Sequence, residues 1–312
     1  MNRAFIFPGQ GSQSIGMGKD FFNSEPIAKQ IFQTVDKSLG YDLSDIIFHG
    51  QNENLSITTN TQPAIMATSV AIFRVLLAKL NKNIQEICSV VAGHSLGEYS
   101  ALCAAGVIDV ETAAKLLKIR ARSMQEASPQ GQGAMAACIG ITHSELLAIL
   151  QATIEEGVCQ IANDNVEGQI VISGHEYNVD LLIAILKDGG YRAIKLNVSA
   201  PFHSDLIKTA EIPMKEALEK ADFVKPQVPI ISNVTVNVET NIDQIKTNLL
   251  SQICSTVRWR ETMDQFAKIG ITELVEIGPA RVLSGLAKKS PHNFVIHNIA
   301  TVQDMENYLM TF

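Results

Sequence analysis

Short apolar runs alternate along this chain with longer stretches in which apolar residues recur at helical spacing, the order of an α/β protein. Residues 4–7 read as a short buried strand stopped by Pro8 and Gly9. Residues 88–92, with two adjacent valines, read as a central strand. Between them, residues 62–80 are long and apolar enough for a buried helix. Residues 98–105 predict a second helix, and Asp109 is suited to cap another that runs to about residue 127.

At Ser128-Pro129-Gln130-Gly131-Gln132-Gly133 the pattern gives way to a loop composition. Beyond it lies a compressed βαββαβ series. Residues 134–139 read as a strand, and Thr142 with Glu145 forms a capping box for a helix to about residue 154. Residues 159–163 and 169–173 are strands, Asn178 is suited to cap a helix to Lys187, and residues 193–197 form a last strand. This order suits a small ferredoxin-like module. Residues 204–220 then turn helical, and short strands return near Ile230-Ile231 and at 273–276. The expected architecture is α/β: a large domain in two parts, 1–127 and 200–312, interrupted by a small subdomain at 128–199.

Composition narrows the function classes. Hydrophobic residues are 46% of the 312, enough for a core and too many for a disordered chain. The net charge of −7 argues against nucleic acid as the main partner, since phosphate binding draws on basic patches. The five cysteines, Cys88, Cys103, Cys138, Cys159 and Cys254, contain no close pair; free thiols in a reducing compartment are expected, not a metal site or a disulfide framework. The first apolar run is too short for a signal peptide and no run approaches the ~18 apolar residues of a membrane span, so a cytoplasmic protein with no membrane contact is expected.

Candidate chemistry centres on Gly93-His94-Ser95-Leu96-Gly97, followed by Glu98. It fits the G-x-S-x-G nucleophile elbow, with a predicted strand before it and a helix after it. Such a turn lifts the Ser95 hydroxyl from the sheet edge and aims helix-terminal N–H groups, including that of Leu96, at a developing oxyanion. A serine needs a base, and seven histidines are available. His94 adjoins the serine, and on a tight elbow its ring should point away; His143 falls within the capping box. His203 follows Ala200-Pro201-Phe202 where a strand gives way to a helix, the edge at which α/β proteins gather active groups. His292 and His297 stay open, because hydrolases of this type use a late histidine with a preceding acid, for which Asp180 and Asp188 are candidates. The glycine-rich loop Phe7-Pro8-Gly9-Gln10-Gly11-Ser12-Gln13 has Ser14 where a dinucleotide loop needs glycine or alanine, but the Gln10 N–H can serve as a second oxyanion donor. Arg120 and Arg122 are either surface charges or a guanidinium for a substrate carboxylate, and spacing leaves both open.

Four stretches taken together, FPGQGSQ, GHSLGE, APFHS and EIGPA, resemble the malonyl-CoA:acyl carrier protein transacylase family in order from about residue 4 to residue 288. The resemblance implies an α/β-hydrolase-like large domain with an inserted ferredoxin-like subdomain. It implies malonyl transfer from coenzyme A to the phosphopantetheine thiol of acyl carrier protein in fatty acid biosynthesis, with no metal or cofactor. By motif, Ser95 is the acylated nucleophile and His203 its base, oriented by a backbone carbonyl at Gln252 instead of an acid. Gln10 and Leu96 supply the oxyanion hole and Arg120 binds the malonyl carboxylate. The bulk of Phe202 favours malonyl over branched groups, and Asn163 and Asn165 face the cleft. The chain departs from the pattern at Ala121, Asp164 and Ala280, where other residues are common. A serine esterase or thioesterase, a polyketide-pathway acyltransferase and a non-catalytic carrier-protein scaffold are the competing readings. An acidic carrier protein would need a local basic patch, for which Arg281, Lys288 and Lys289 are candidates.

Overall fold

A strand whose residues are nearly all apolar is at home inside a parallel sheet covered by helices on both faces. The computed structural model describes residues 2–128 and 131–312, so Pro129 and Gln130 of the expected loop lie outside the described residues. Ten strands are described in chain order: β1 (Arg3–Phe7), β2 (Val90–Gly93), β3 (Gly133–Ile139), β4 (Cys159–Val166), β5 (Gln169–His175), β6 (Arg192–Lys195), β7 (Ile230–Ile231), β8 (Val238–Glu239), β9 (Glu273–Ile277) and β10 (Val295–Ile299).

Six strands form one sheet in the order β10-β9-β1-β2-β7-β8, parallel except for β8. Ala4 to Phe7 are fully buried at its centre. Their side chains divide by the two-residue period of a strand. Phe5 and Phe7 join the core under the Thr58–Leu80 helix, whereas Ala4 and Ile6 pack with Trp259, Met263 and Phe266 on the opposite face. Among the described residues, Thr58–Leu80 is the one helix long and apolar enough to cross a membrane, and it is mostly buried here.

The other four strands make an antiparallel sheet in the order β4-β5-β3-β6. One face carries Ala136, Cys138 and Ile172 against Leu146, Leu150, Leu182 and Leu186. The other contributes Met135 and Val171 to the larger core. The outer edge of β4 docks on a segment before the Trp259–Lys268 helix: Asp164 N donates to Val257 O at 3.0 Å, and Val257 N to Ala162 O at 2.8 Å.

The Thr142–Glu145 capping box forms as expected, and so does the Asp109 cap, whose side chain accepts from Thr112 N. Asn178 does not cap its helix. The helix begins at Glu176, and the Asn178 side chain donates to Glu156 O at 2.9 Å, one turn inside. β4 runs past Asn163 to Val166 through two register shifts, and the long helix begins at Thr58 instead of residue 62. The stretch expected as one helix from 204 is a 3-10 segment, Asp205–Ala210, and then a helix, Glu211–Lys220.

Candidate active site

β2 ends at Gly93, and the chain turns within three residues into the Gly97–Ala104 helix. So tight a turn leaves no space for side chains at its ends. A Cβ at Gly93 would lie 1.9 Å from the Gly97 carbonyl carbon, and one at Gly97 would lie 2.3 Å from Phe7 O. Between them Ser95 is held at φ 54°, a left-handed conformation that costs a non-glycine residue on the order of 1–3 kcal/mol. Asn233 holds the turn: its Oδ1 accepts from Ser95 N and its Nδ2 donates to Gly93 O, both at 2.7 Å.

The Ser95 hydroxyl is 2.7 Å from His203 Nε2, although 108 positions separate them in the chain. His203 Nδ1 is 2.8 Å from the Gln252 carbonyl. A carbonyl only accepts, so Nδ1 carries the proton and Nε2 is left to accept from Ser95. His203 also sits at positive φ, 57°. Burial, then the Arg120 charge, push its pKa down to about 3, so the imidazole is neutral at pH 7. Burial thus extends the neutral, proton-accepting form of the ring to lower pH.

Arg120 is 1% exposed. Its Nη1 donates to Gln62 Oε1 at 2.9 Å, and its Nη2 donates to Gln252 Oε1 at 2.8 Å and to Ser95 Oγ at 3.1 Å. Its Nε is buried with no acceptor among the described residues. Of the two uses open to this arginine, the surface charge is excluded; Arg122 is the surface one, paired with Glu126.

Gln10, Gln62, His94, Asn163, Phe202 and Leu196 line, with Ser95, His203, Arg120 and neighbours, a cavity of about 120 Å³. Neither Gln10 N nor Leu96 N has an intramolecular acceptor among the described residues. Asn163 lines the cavity, but Asn165, expected to face it, is not among its lining residues: its Oδ1 is 2.8 Å from His94 Nε2. The Gln252 side chain is likewise a step removed, behind Arg120.

The triad alternative is not assembled. Asp180 pairs with Lys195, His292 with Asp264 at 2.7 Å, and His297 lies 3.6 Å from Glu273. None of these pairs involves Ser95, whose ring partner is His203, and Asp188 ends a helix of the small sheet's layer. The basic candidates are exposed, between β9 and β10; Arg281 pairs with Asp304, and Lys289 donates to Gln169.

Sequence reasoning gave no role to three side chains of this site: Gln62, Asn233 and Gln252's amide partner Glu98. Glu98 carried a signal, being an acid next to an elbow glycine and inside an apolar helix. Gln62 and Asn233 carried none, because their partners are remote in the chain.

An acyl transferase domain model matches residues 4–308. The chain belongs to this acyl transferase family. The acyltransferase is 45% identical over 288 residues to the malonyl CoA-acyl carrier protein transacylase of Bacillus subtilis, covering 92% of this chain and 89% of that protein. It is 42% identical to the Escherichia coli K12 protein of the same name, over 92% of both. Among solved structures, the acyl-carrier-protein-S-malonyltransferase of Bartonella henselae superposes with a TM-score of 0.97 at 44% identity, over 100% of this chain and 99% of that one. A malonyl-transacylase in complex with a type II PKS acyl-carrier protein superposes with a TM-score of 0.96 at 38% identity, over 100% of both chains.

Proposed function

We propose that this acyltransferase moves a malonyl group from malonyl-CoA to the phosphopantetheine thiol of acyl carrier protein through a malonyl-serine, in fatty acid biosynthesis. The observation that carries the reading is the buried Arg120 guanidinium in hydrogen-bond contact with the Ser95 hydroxyl. A serine hydrolase of neutral esters has no use for an enclosed cation beside its nucleophile, whereas an acyl group that ends in a carboxylate does.

Ser95 Oγ attacks the thioester carbonyl as its proton passes to His203 Nε2. The Gln10 and Leu96 N–H groups hold the oxyanion; losing one such donor typically costs about 10²–10³ in rate. The C–S bond breaks, and coenzyme A departs as a thiol with the imidazolium proton. The carrier thiol then gives its proton to His203 and attacks the malonyl ester, and the reverse collapse frees Ser95. The malonyl carboxylate takes the guanidinium edge that rests on Ser95 in the free protein. Phe202 and Asn163 bound the acyl group, and neither half-reaction calls for a metal or cofactor.

The chain is read as an α/β-hydrolase-like large domain, 1–127 and 200–312, with a ferredoxin-like subdomain at 128–199. The strand order β4-β5-β3-β6 within a βαββαβ series supports the second description. Arg281, Lys288 and Lys289 are the candidate contacts for an acidic carrier. The five free thiols suit a reducing cytoplasm.

Incubation with radiolabelled malonyl-CoA should label the protein, and Ser95→Ala should abolish the label. Adding acyl carrier protein should move the label to the carrier with little free malonate. Free malonate as the main product, carrier or not, would replace this reading with a thioesterase.

A further inference from the structure

Glu98 takes no part in the steps above, yet its carboxyl is enclosed directly under them. It is 4% exposed, three residues beyond the nucleophile in the first turn of the elbow helix. Asn233 N donates to its Oε1 at 3.3 Å, and Gln252 Nε2 donates to its Oε2. Gln252 is fully buried between this carboxyl and Arg120, whose Nη2 donates to Gln252 Oε1 at 2.8 Å.

That sandwich fixes an orientation. A guanidinium can only donate, and the backbone carbonyl of Ser95 can only accept. The Gln252 amide, held by both, has one satisfied arrangement, with its oxygen toward Arg120 and its NH₂ toward the Ser95 carbonyl and Glu98. The NH₂ group makes a further bond, to Ser95 O at 3.1 Å, so the same amide also touches the elbow. The backbone carbonyl of this residue is the one that accepts from His203 Nδ1. One side chain is therefore placed to aim three parts of the site: the guanidinium, the turn that carries Ser95 and, through its own backbone, the imidazole.

We propose that Glu98 is a positioning residue that locks the Gln252 amide and thereby aims Arg120 at the acyl carboxylate, so that preference for malonyl over uncharged acyl groups depends on a carboxyl that never touches substrate. The proposal rests on the malonyl reading given above. Burial pushes the Glu98 carboxyl up to about 8, against lowering by the Gln252 and Asn233 hydrogen bonds and by Arg120. A purely structural glutamate would hold the Asn233 loop and leave substrate choice alone.

The test compares kcat/KM for malonyl-CoA and acetyl-CoA in the wild type, Glu98→Gln, Gln252→Met and the double variant, each checked by thermal melting. With glutamine at 98 the neighbouring amide can flip, and Arg120 can lose its acceptor. The malonyl-to-acetyl ratio should fall about tenfold, the scale typical of lost supporting contacts, mainly through KM for malonyl-CoA. In the Gln252→Met background, Glu98→Gln should lower the ratio no further, because its route is gone. An unchanged ratio in a folded Glu98→Gln protein, equal losses for both thioesters, or a further loss in the double variant would overturn the proposal. Should Glu98→Gln not accumulate folded, Glu98→Asp carries the same test, since it keeps the carboxyl and loses reach; an unchanged ratio there also overturns it. A wild type that transfers no malonyl group would instead sink the functional reading.

Discussion

His203 shows how one residue's environment sets its chemistry. An ordinary histidine is half protonated near 6.5; here burial and the Arg120 charge push the pKa down to about 3. The sign follows directly. The active form is neutral, so kcat/KM falls only when acid protonates the ring, and that limb moves to lower pH with the pKa. Acylation by malonyl-CoA should stay near its plateau from pH 8 to about 5. A rate that halves near pH 6.5 would show that the ring is not held neutral. The same shift makes folding acid-sensitive. The unfolded chain takes up a proton below 6.5 that the folded one refuses until about 3, so this group's contribution to stability declines as pH falls through that window. At Arg120 the expectation concerns selectivity. Arg120→Ala removes the buried cation, and the malonyl-to-acetyl ratio of kcat/KM should fall by about 10²-fold, the scale of a lost charge-assisted contact. A ratio that holds would show that the guanidinium serves only Gln62 and Gln252.

At the scale of elements, the elbow was legible because its demands are local. Strand, glycine, serine, glycine and helix are contiguous from Val90 to Ala104, and the glycines are required by the turn's lack of space. The Thr142–Glu145 box was legible for the same reason. Asn178 misled because asparagine's cap preference is indifferent to tertiary context; a carbonyl at Glu156 claimed the side chain. The early start of the long helix was hidden by Pro63, which reads as a first-turn residue but lies within the helix. Ala280, one of the expected departures from the family's pattern, takes the left-handed φ of 62° as a strained alanine. The elbow makes its own prediction. Gly97→Ala pushes a Cβ into Phe7 O, backbone of the adjacent central strand, with no flexible atom to give way. It should destabilise the protein by about 3 kcal/mol, read by thermal or denaturant unfolding, and reduce Ser95 labelling in the fraction that folds. Melting like the wild type would mean that the turn tolerates more space than its contacts indicate.

Over the whole molecule, what could not be read is what spans the chain. Asn233 reaches Ser95 across 138 positions, and Gln252 reaches Glu98 across 154. No local pattern encodes such pairs; they exist only once both parts of the large sheet have formed. Asp164 belongs to the same class. It departs from the family's pattern, and the fold supplies the reason: Arg260 grips it through Nε at 3.0 Å and Nη2 at 2.9 Å, tying β4 to the Trp259–Lys268 helix. The Asp164 side chain is 2% exposed, so it depends on that partner. Its neighbours in the chain are Asn163, in the cavity wall, and Asn165, which holds His94. The join between the two sheets thus lies directly behind the site, and loosening it should admit water to the acyl-serine. Arg260→Ala strands a buried carboxylate and should cost about 3 kcal/mol of stability. Its more telling consequence is chemical: the share of malonyl-serine lost as free malonate should rise against transfer to the carrier, while initial labelling of Ser95 proceeds. Partition between malonate and malonyl-carrier after a pulse of labelled malonyl-CoA reads this directly. An unchanged partition in a destabilised variant would separate the join from the exclusion of water and leave that duty to the cavity walls alone.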